Sequence, residues 1–297
     1  MSGSAATVPE RSGVLRTEAS AVRRRRIGKA LSYSVLVVIA IVYIFPFVIA
    51  VATSFKTEPN ATTDPLGLSP SPFTTDAYHQ LYRDQDFLTW VQNSAIVTLS
   101  VTFLRVFLDS LAGYALARLR FRGRAAAFTT IVAVMAVPGV VLLIPKFLMI
   151  RQLGMYDSYS GMIIPLLVDA AGVFIMKNFF ESIPVSVEES ARIDGASLFR
   201  IYWSIVLPMA RPALITIFIL SFQGSWNELA HFIISAQSSS LNTLTKGVAQ
   251  LASGQLGSGN RYPLKLAASV LMTIPVAILF FAFQRRIMNT SSGAVKE

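Results

Sequence analysis

Apolar positions in this chain come in runs far longer than the alternation of a strand or the stripe of a surface helix. Such runs cover residues 31–55, 87–117, 125–145, 159–176, 213–236 and 266–283. An α-helix of about 18 or more apolar residues can cross a bilayer core about 30 Å thick. The pattern therefore predicts an all-α integral membrane protein with six transmembrane helices. Pro138 with Gly139 interrupts the third run, and Gly224 interrupts the fifth. Breaks of this kind survive in a membrane only where protein or a water-filled cavity satisfies the freed backbone groups.

Composition agrees with the runs. Of 297 residues, 53% are hydrophobic and 14% charged, where soluble domains carry about 25% charged residues. Mean hydropathy is +0.56. No cysteine is present, which excludes disulfides and thiolate metal sites. The net charge of +10 raises the question of nucleic acid, and the placement of the basic residues answers it.

Arg23 to Arg26 precede the first run, and Arg118, Arg120, Arg122 and Arg124 fill the turn after the second. Lys177, Arg192, Arg200 and Arg211 follow the fourth run, and Arg285 with Arg286 follow the sixth. The opposite loops hold fewer: Lys56 and Arg83, Lys146 and Arg151, then Lys246, Arg261 and Lys265. This bias places both termini in the cytoplasm and leaves no nucleic-acid role. The basic N-terminus and the Ala-Val-Ala at 50–52 imitate a signal peptide, but the run between them exceeds the usual 7–15 residues, so it should stay uncleaved. Residues 1–30 read as a flexible basic cytoplasmic tail, 31–286 as the membrane domain and 287–297 as a second cytoplasmic tail.

One polar stretch, 184–212, lies between the fourth and fifth runs. Pro184 should stop the preceding helix, and Ser186 with Glu189 has the spacing of a capping box. A short helix is predicted from there to Gly195, which suits a left-handed cap. Ser197 should cap a second helix running through Ile205, until Pro208 and Pro212 break it. Small residues at Ser190, Ala191, Gly195 and Ala196 let another surface approach the backbone, with Glu189, Arg192 and Asp194 as charged rim contacts. The residues alone equally allow an amphipathic linker lying on lipid headgroups.

"ESARIDGAS", from Glu189 to Ser197, is followed by "IVLP" from Ile205 to Pro208. Together they resemble the EAA loop of ATP-binding-cassette importer permeases: EAA, three residues, Gly, nine residues, Ile, one residue, Leu-Pro. The one departure is Ser190 in place of the first alanine, small for small. "NSAIVTLSVT" from Asn93, "AGYALARLRFRGR" from Ala112 and "QRR…SGAVKE" from Gln284 are similar to the carbohydrate branch, the type I permeases of maltose type.

The resemblance implies that Glu189, Ser190, Ala191, Arg192, Asp194, Gly195 and Ala196 form a coupling helix docked on a cytoplasmic ATPase. It implies two ATP-binding subunits, a second and non-identical permease, and an extracytoplasmic solute-binding protein. It also implies a bacterial cell-membrane location and transport by alternating access. This chain should hold no cofactor, with ATP and Mg bound by the partner. The sequence agrees, because it has no G-x-x-x-x-G-K-[ST] phosphate loop: Gly28-Lys29 is followed by Ala30 and lacks the upstream glycine.

Polar groups inside membrane runs are costly and usually face a cavity or one another. Gln223, Trp226, Asn227 and Glu228 offer hydrogen bonds and a stacking ring to a sugar, and the resemblance implies that this segment lines the pathway. Packing against the partner permease explains the same residues. The family motif continues with an aromatic residue and a proline, whereas His231 and Phe232 stand here, so the resemblance does not name the sugar. Asp169 either lines the same cavity or pairs with another helix. Arg105 and Asp109, four apart on one helix face, are expected to pair with each other.

His79 and His231, without clustered carboxylates, suggest no metal site. No G-x-S-x-G or other nucleophile arrangement suggests an enzyme. An ion-coupled secondary transporter remains an alternative, as does an importer of a non-sugar solute such as a glycerol-phosphate compound. The first of these should show internal repeats and buried coupling residues, and neither is evident. A purely structural subunit would explain the docking loop but not the polar fifth run.

Overall fold

The computed structural model describes residues 11–256 and 261–293, with side chains over 28–256 and 261–284. The described residues are helical, with no strand. In chain order the α-helices are α1 Arg11–Ser54, α2 Glu58–Thr63, α3 Asp76–Asp84, α4 Phe87–Arg118, α5 Arg124–Met135, α6 Leu143–Gln152, α7 Tyr159–Ile163 and α8 Ala170–Ser182. They continue as α9 Val185–Ile193, α10 Leu198–Ile201, α11 Leu207–Met209, α12 Arg211–Trp226, α13 Ala230–Ser235, α14 Leu244–Ala252 and α15 Tyr262–Gly293.

Three stretches of uninterrupted helix are long and apolar enough to cross a membrane: Gly28–Ser54, Phe87–Arg118 and Tyr262–Gln284. Three bent pairs bring the number to six if each pair is one span: Arg124–Met135 with Gly139–Gln152 at 102°, Tyr159–Leu166 with Ala170–Ser182 at 41°, and Leu198–Met209 with Arg211–Trp226 at 79°. Proline sits at each break. Pro138 precedes the 3₁₀ turn at Gly139–Leu142, Pro165 lies in the 3₁₀ turn before α8, and Pro212 opens α12. Each lacks the N–H that an unbroken helix would use.

The helix capped at Ser197 ends at Met209 and the chain turns at Ala210, between Pro208 and Pro212 as expected. Three local expectations are corrected. Gly224 does not interrupt α12, which runs on to Trp226; the fifth run breaks at 227–229. The fourth run breaks at 167–169 and then continues to Ser182. The tail expected over 1–30 is helical from Arg11, as α1 extends back through the basic residues; residues 1–10 and 294–297 lie outside the described residues.

The bundle is organised by α4, whose 32 residues span about 48 Å at 1.5 Å per residue. α8 packs along it in the same direction: Asp109 meets the start of α8 and Arg118 its end. α12 packs on α4 in the opposite direction, with Phe103 against Phe218 and Thr98 beside Ser225. Gly113 sets the α4–α8 approach, because a Cβ there would lie 2.6 Å from the Met176 Cβ. α15 packs on α1. Apolar side chains of α1, such as Val37, Ile41 and Phe47, are exposed, as a lipid-facing helix requires.

At the end where α4 begins, its polar residues arrange the connection from α13 to α14. The Asn93 amide donates to the carbonyls of Ser240 and Asn242, each at 2.8 Å, and Ser94 Oγ accepts from the Leu244 N–H at 2.7 Å. Asp157, in the left-handed region at φ 56°, accepts from the backbone N–H groups of Gln237 and Ser238 at 2.8 and 2.9 Å. These bonds, led by the Ser238 hydroxyl, hold the Asp157 carboxyl below the usual carboxylate range. A depressed carboxyl stabilises the fold above its unfolded pKa of about 3.9, and that contribution is lost as pH falls through its lower folded pKa. Asp157→Asn should therefore speed amide hydrogen exchange at Gln237 and Ser238 near neutral pH. Unchanged exchange there would show that the loop is held by other contacts.

Candidate functional site

The polar stretch folds as α9, a four-residue connection and α10, which continues through a π-turn at Tyr202–Val206 into α11. Gly195 has φ +78°, and the Ala196 N–H reaches back to the Ala191 carbonyl at 3.0 Å, which closes α9 as expected. Ser197 caps α10 through the Arg200 N–H at 3.4 Å. The capping box does not form. Pro184 occupies the N-cap position, so Ser186 already lies inside the first turn, where its hydroxyl makes no cap bond.

Two adjacent glutamates part company here. Glu189 faces solvent, while Glu188 is 2% exposed. The Glu188 Oε1 lies 3.0 Å from Arg118 Nε of α4, in ion-pair contact but off the hydrogen-bond direction. Tyr114 Oη donates to Glu188 Oε2 at 3.2 Å, and Arg192 Nη2 stands 3.6 Å from the same oxygen. Arg118 Nη2 donates to the Phe180 carbonyl at 2.6 Å and also to the Ile183 carbonyl, at the C-terminus of α8.

Of the seven residues expected at a docking surface, Glu189, Ser190, Arg192, Asp194 and Gly195 are exposed and Ala196 is half-buried. Ala191 is corrected: it is 7% exposed and packs in the apolar cluster with Phe180, Ile201 and Tyr202. The exposed surface is also more apolar than its charges suggested. Ile193 is 87% and Phe199 71% exposed, with Leu198 beside Phe199 and the Phe199 ring stacked on Trp203 at 6.2 Å. Only the phase of the short helices about Gly195 could have pointed to them in the sequence.

The second candidate cluster divides in the same way. Gln223 and Asn227 are exposed and Glu228 is half-buried, its Oε1 accepting from the His231 N–H at 2.9 Å to cap α13. Trp226 is corrected as a surface for a solute ring. It is 4% exposed, its Nε1 donates to the Met272 carbonyl at 3.1 Å, and it packs with Leu81, Phe87 and Trp90. Burial of a large ring beside other rings outweighs its display.

Asp169 caps α8, accepting from the Gly172 N–H at 3.1 Å, and its own N–H donates to Asp109 Oδ1 at 3.1 Å. Arg105 and Asp109 do not pair with each other. Arg105 Nε donates to the Leu166 carbonyl at 2.7 Å, so both residues serve the backbone groups that the break at 167–169 leaves open. Asp109, Asp169 and Glu228 each lie within electrostatic reach of Arg105. Among the described residues no group of His, Asp and Glu could hold a metal ion.

Comparison with known proteins gives one answer. Residues 109–289 match the family described as the binding-protein-dependent transport system inner membrane component. The polygalacturonan/rhamnogalacturonan transport system permease protein YtcP of Bacillus subtilis is 32% identical over 286 residues, covering 92% of this chain and 99% of that relative. The sulfoquinovosyl glycerol transport system permease protein SmoH of Agrobacterium fabrum is 34% identical over 272 residues, covering 91% and 94%. A solved structure of a bacterial ABC transporter involved in the import of the acidic polysaccharide alginate superposes with a TM-score of 0.78 at 27% identity, covering 89% of this chain and 97% of that one.

Proposed function

This chain belongs to the family of binding-protein-dependent transport system inner membrane components, and we propose how it works within an importer. It is a permease component of a sugar or oligosaccharide ABC importer and a multi-pass protein of the bacterial cell membrane. In the proposed arrangement the three long helices, the bent pairs Arg124–Met135 with Gly139–Gln152 and Tyr159–Leu166 with Ala170–Ser182, and α12 make six spans with both termini in the cytoplasm, and α10 and α11 lie in the cytoplasmic loop before the 79° bend into α12. α9 is the coupling helix between the fourth and fifth spans, and it docks on one of two ATP-binding subunits that carry ATP and Mg. A second permease completes the pathway, and an extracytoplasmic solute-binding protein delivers the sugar.

The observation that carries this reading is the element from α9 to α11. A helix of nine residues, anchored through a buried Glu188, exposes Glu189, Arg192 and Ile193, and the short α10 that follows it exposes Phe199. An apolar patch rimmed by charges is the ordinary composition of a protein-docking surface. A linker lying on lipid headgroups would have no need of a buried ion pair to fix its orientation.

The test is uptake into proteoliposomes holding the assembled complex. Uptake should require ATP hydrolysis and cease with an ATPase-dead partner. Uptake that persists there, or that follows an ion gradient, would establish a secondary transporter instead. Glu189→Ala should cost roughly 1.5–3 kcal/mol of docking, the value of a buried charge-assisted hydrogen bond, and lower recovery of the ATPase with this chain.

Gln223 and Asn227, which are exposed, and Glu228 and Asp169, which are half-buried, are proposed to face the translocation pathway, since polar groups in an apolar run need a partner or water. Asn227→Ala should reduce transport per assembled complex by about 5-fold or more, as a sugar hydroxyl loses its partner. Loss of the assembled complex, with normal transport per surviving complex, would assign Asn227 to packing between permeases.

A further inference from the structure

Three elements converge on one buried carboxylate. α4 contributes Tyr114 and Arg118, one turn apart on the same face; α8 contributes the carbonyls of Phe180 and Ile183; α9 contributes Glu188. The rings of Tyr114, Phe180 and Tyr202 close over the group, with centroid separations of 5.6 Å for Tyr114–Phe180 and 5.0 Å for Tyr114–Tyr202. The Arg118 and Glu188 side chains are 8% and 3% exposed, so the pair is little screened by salt. We propose that Glu188, gripped by Arg118 and Tyr114, is a positioning residue that makes α9 rigid with α4 and α8, so that movement of α9 becomes movement of α4.

Without this grip, α9 is a nine-residue helix joined to α8 through Ile183 and Pro184 and packed against the bundle by the small side chain of Ala191, and it could pivot there. The carboxylate removes that freedom because its two oxygens face different α4 side chains. Apolar packing alone would let the helix slide, whereas a directional charged contact fixes its angle. α4 then runs without a break to Asn93 and Ser94, which hold the 240–244 segment at the other end. The joint therefore links the proposed ATPase-docking helix to the far end of the bundle through one unbroken helix. This inference rests on the coupling role proposed for α9.

The chain contains no cysteine, so a single thiol reports on it alone. Ser239→Cys is placed at the exposed far end in the assembled complex with its ATPase. Its labelling by an impermeant maleimide is followed with and without ATP and vanadate, and read on the band of this chain. The wild-type background should change its labelling rate by about 5-fold or more on trapping, and Glu188→Gln by under about 2-fold, where 5-fold is the low end of ordinary coupling between sites. Tyr114→Phe, which removes one hydroxyl, should fall between them.

Both variants should retain the ATPase and its basal hydrolysis, which a damaged docking surface would not. If Glu188→Gln fails to assemble, Tyr114→Phe decides, because it leaves the ion pair in place. A wild-type response in both variants overturns the joint, and so does a wild-type complex that hydrolyses ATP without any change at residue 239. A wild-type complex that neither retains an ATPase nor hydrolyses ATP would instead refute the importer reading.

Discussion

Arg118→Ala should be the most damaging single change at the α4–α9 junction, with a loss of about 3–5 kcal/mol, because it leaves a buried carboxylate without its counter-charge. Glu188 would keep only the Tyr114 hydroxyl and the more distant Arg192 guanidinium, while the carbonyls of Phe180 and Ile183 would lose their donor. Glu188→Gln should be milder, since Arg118 would still be held by those two carbonyls and the amide oxygen can still accept from Tyr114. The expected result is a fall of roughly 10 °C in the Tm of the purified complex for Arg118→Ala, with poor yield. The double variant Arg118→Met with Glu188→Leu should recover part of the loss, since it removes both charges at once. A Tm for Arg118→Ala within about 1 °C of wild type would show that the pair does not hold the junction.

Gly113→Val should come close to it. A Cβ at this position would meet Met176 Cβ at 2.6 Å and the Lys177 backbone nitrogen at 2.9 Å, so neither neighbour is the free end of a flexible side chain. Relief requires α8 to move away from α4, and that movement would strain the Asp169–Asp109 and Arg118–Phe180 contacts at either end of α8. Overpacking costs about 1–3 kcal/mol where a core can adjust, and the upper end or more is expected against backbone. Recovery of folded chain after detergent extraction is the readout. Gly224→Ala is the comparison, because Gly224 is exposed and has nothing within 4 Å of a built Cβ. Equal recovery of the two variants would mean that α4 and α8 separate more easily than their contact implies.

Local chemistry made much of this chain legible. The apolar runs gave the helices, because a bilayer demands length and apolarity from each segment by itself. Gly195 and Ser197 marked the end of α9 and the start of α10, because caps depend on a few neighbouring residues. The EAA spacing led to the family, and the family match followed. The break at Pro138 was equally local, since proline lacks an N–H wherever it stands.

What the sequence left open turns on which way a helix faces. Glu188 and Glu189 are consecutive and chemically alike, and only Arg118, seventy positions earlier, selects the first for burial. Arg105 and Asp109 sit four apart and would pair on an isolated helix, but the opened backbone at 166–169 offers both of them better partners. Trp226 looked available to a solute until Trp90 and Phe87 from α4 and Leu244 from α14 closed around it. Helix periodicity fixes the spacing of side chains around an axis, but it does not fix the rotation of that axis. The rotation is set by neighbours distant in the chain, through close approach at Gly113 and directional polar contacts such as Glu188–Arg118. The sequence by itself therefore determined which segments are helical, and the tertiary structure decided where the fourth and fifth runs break and which helix faces meet each other.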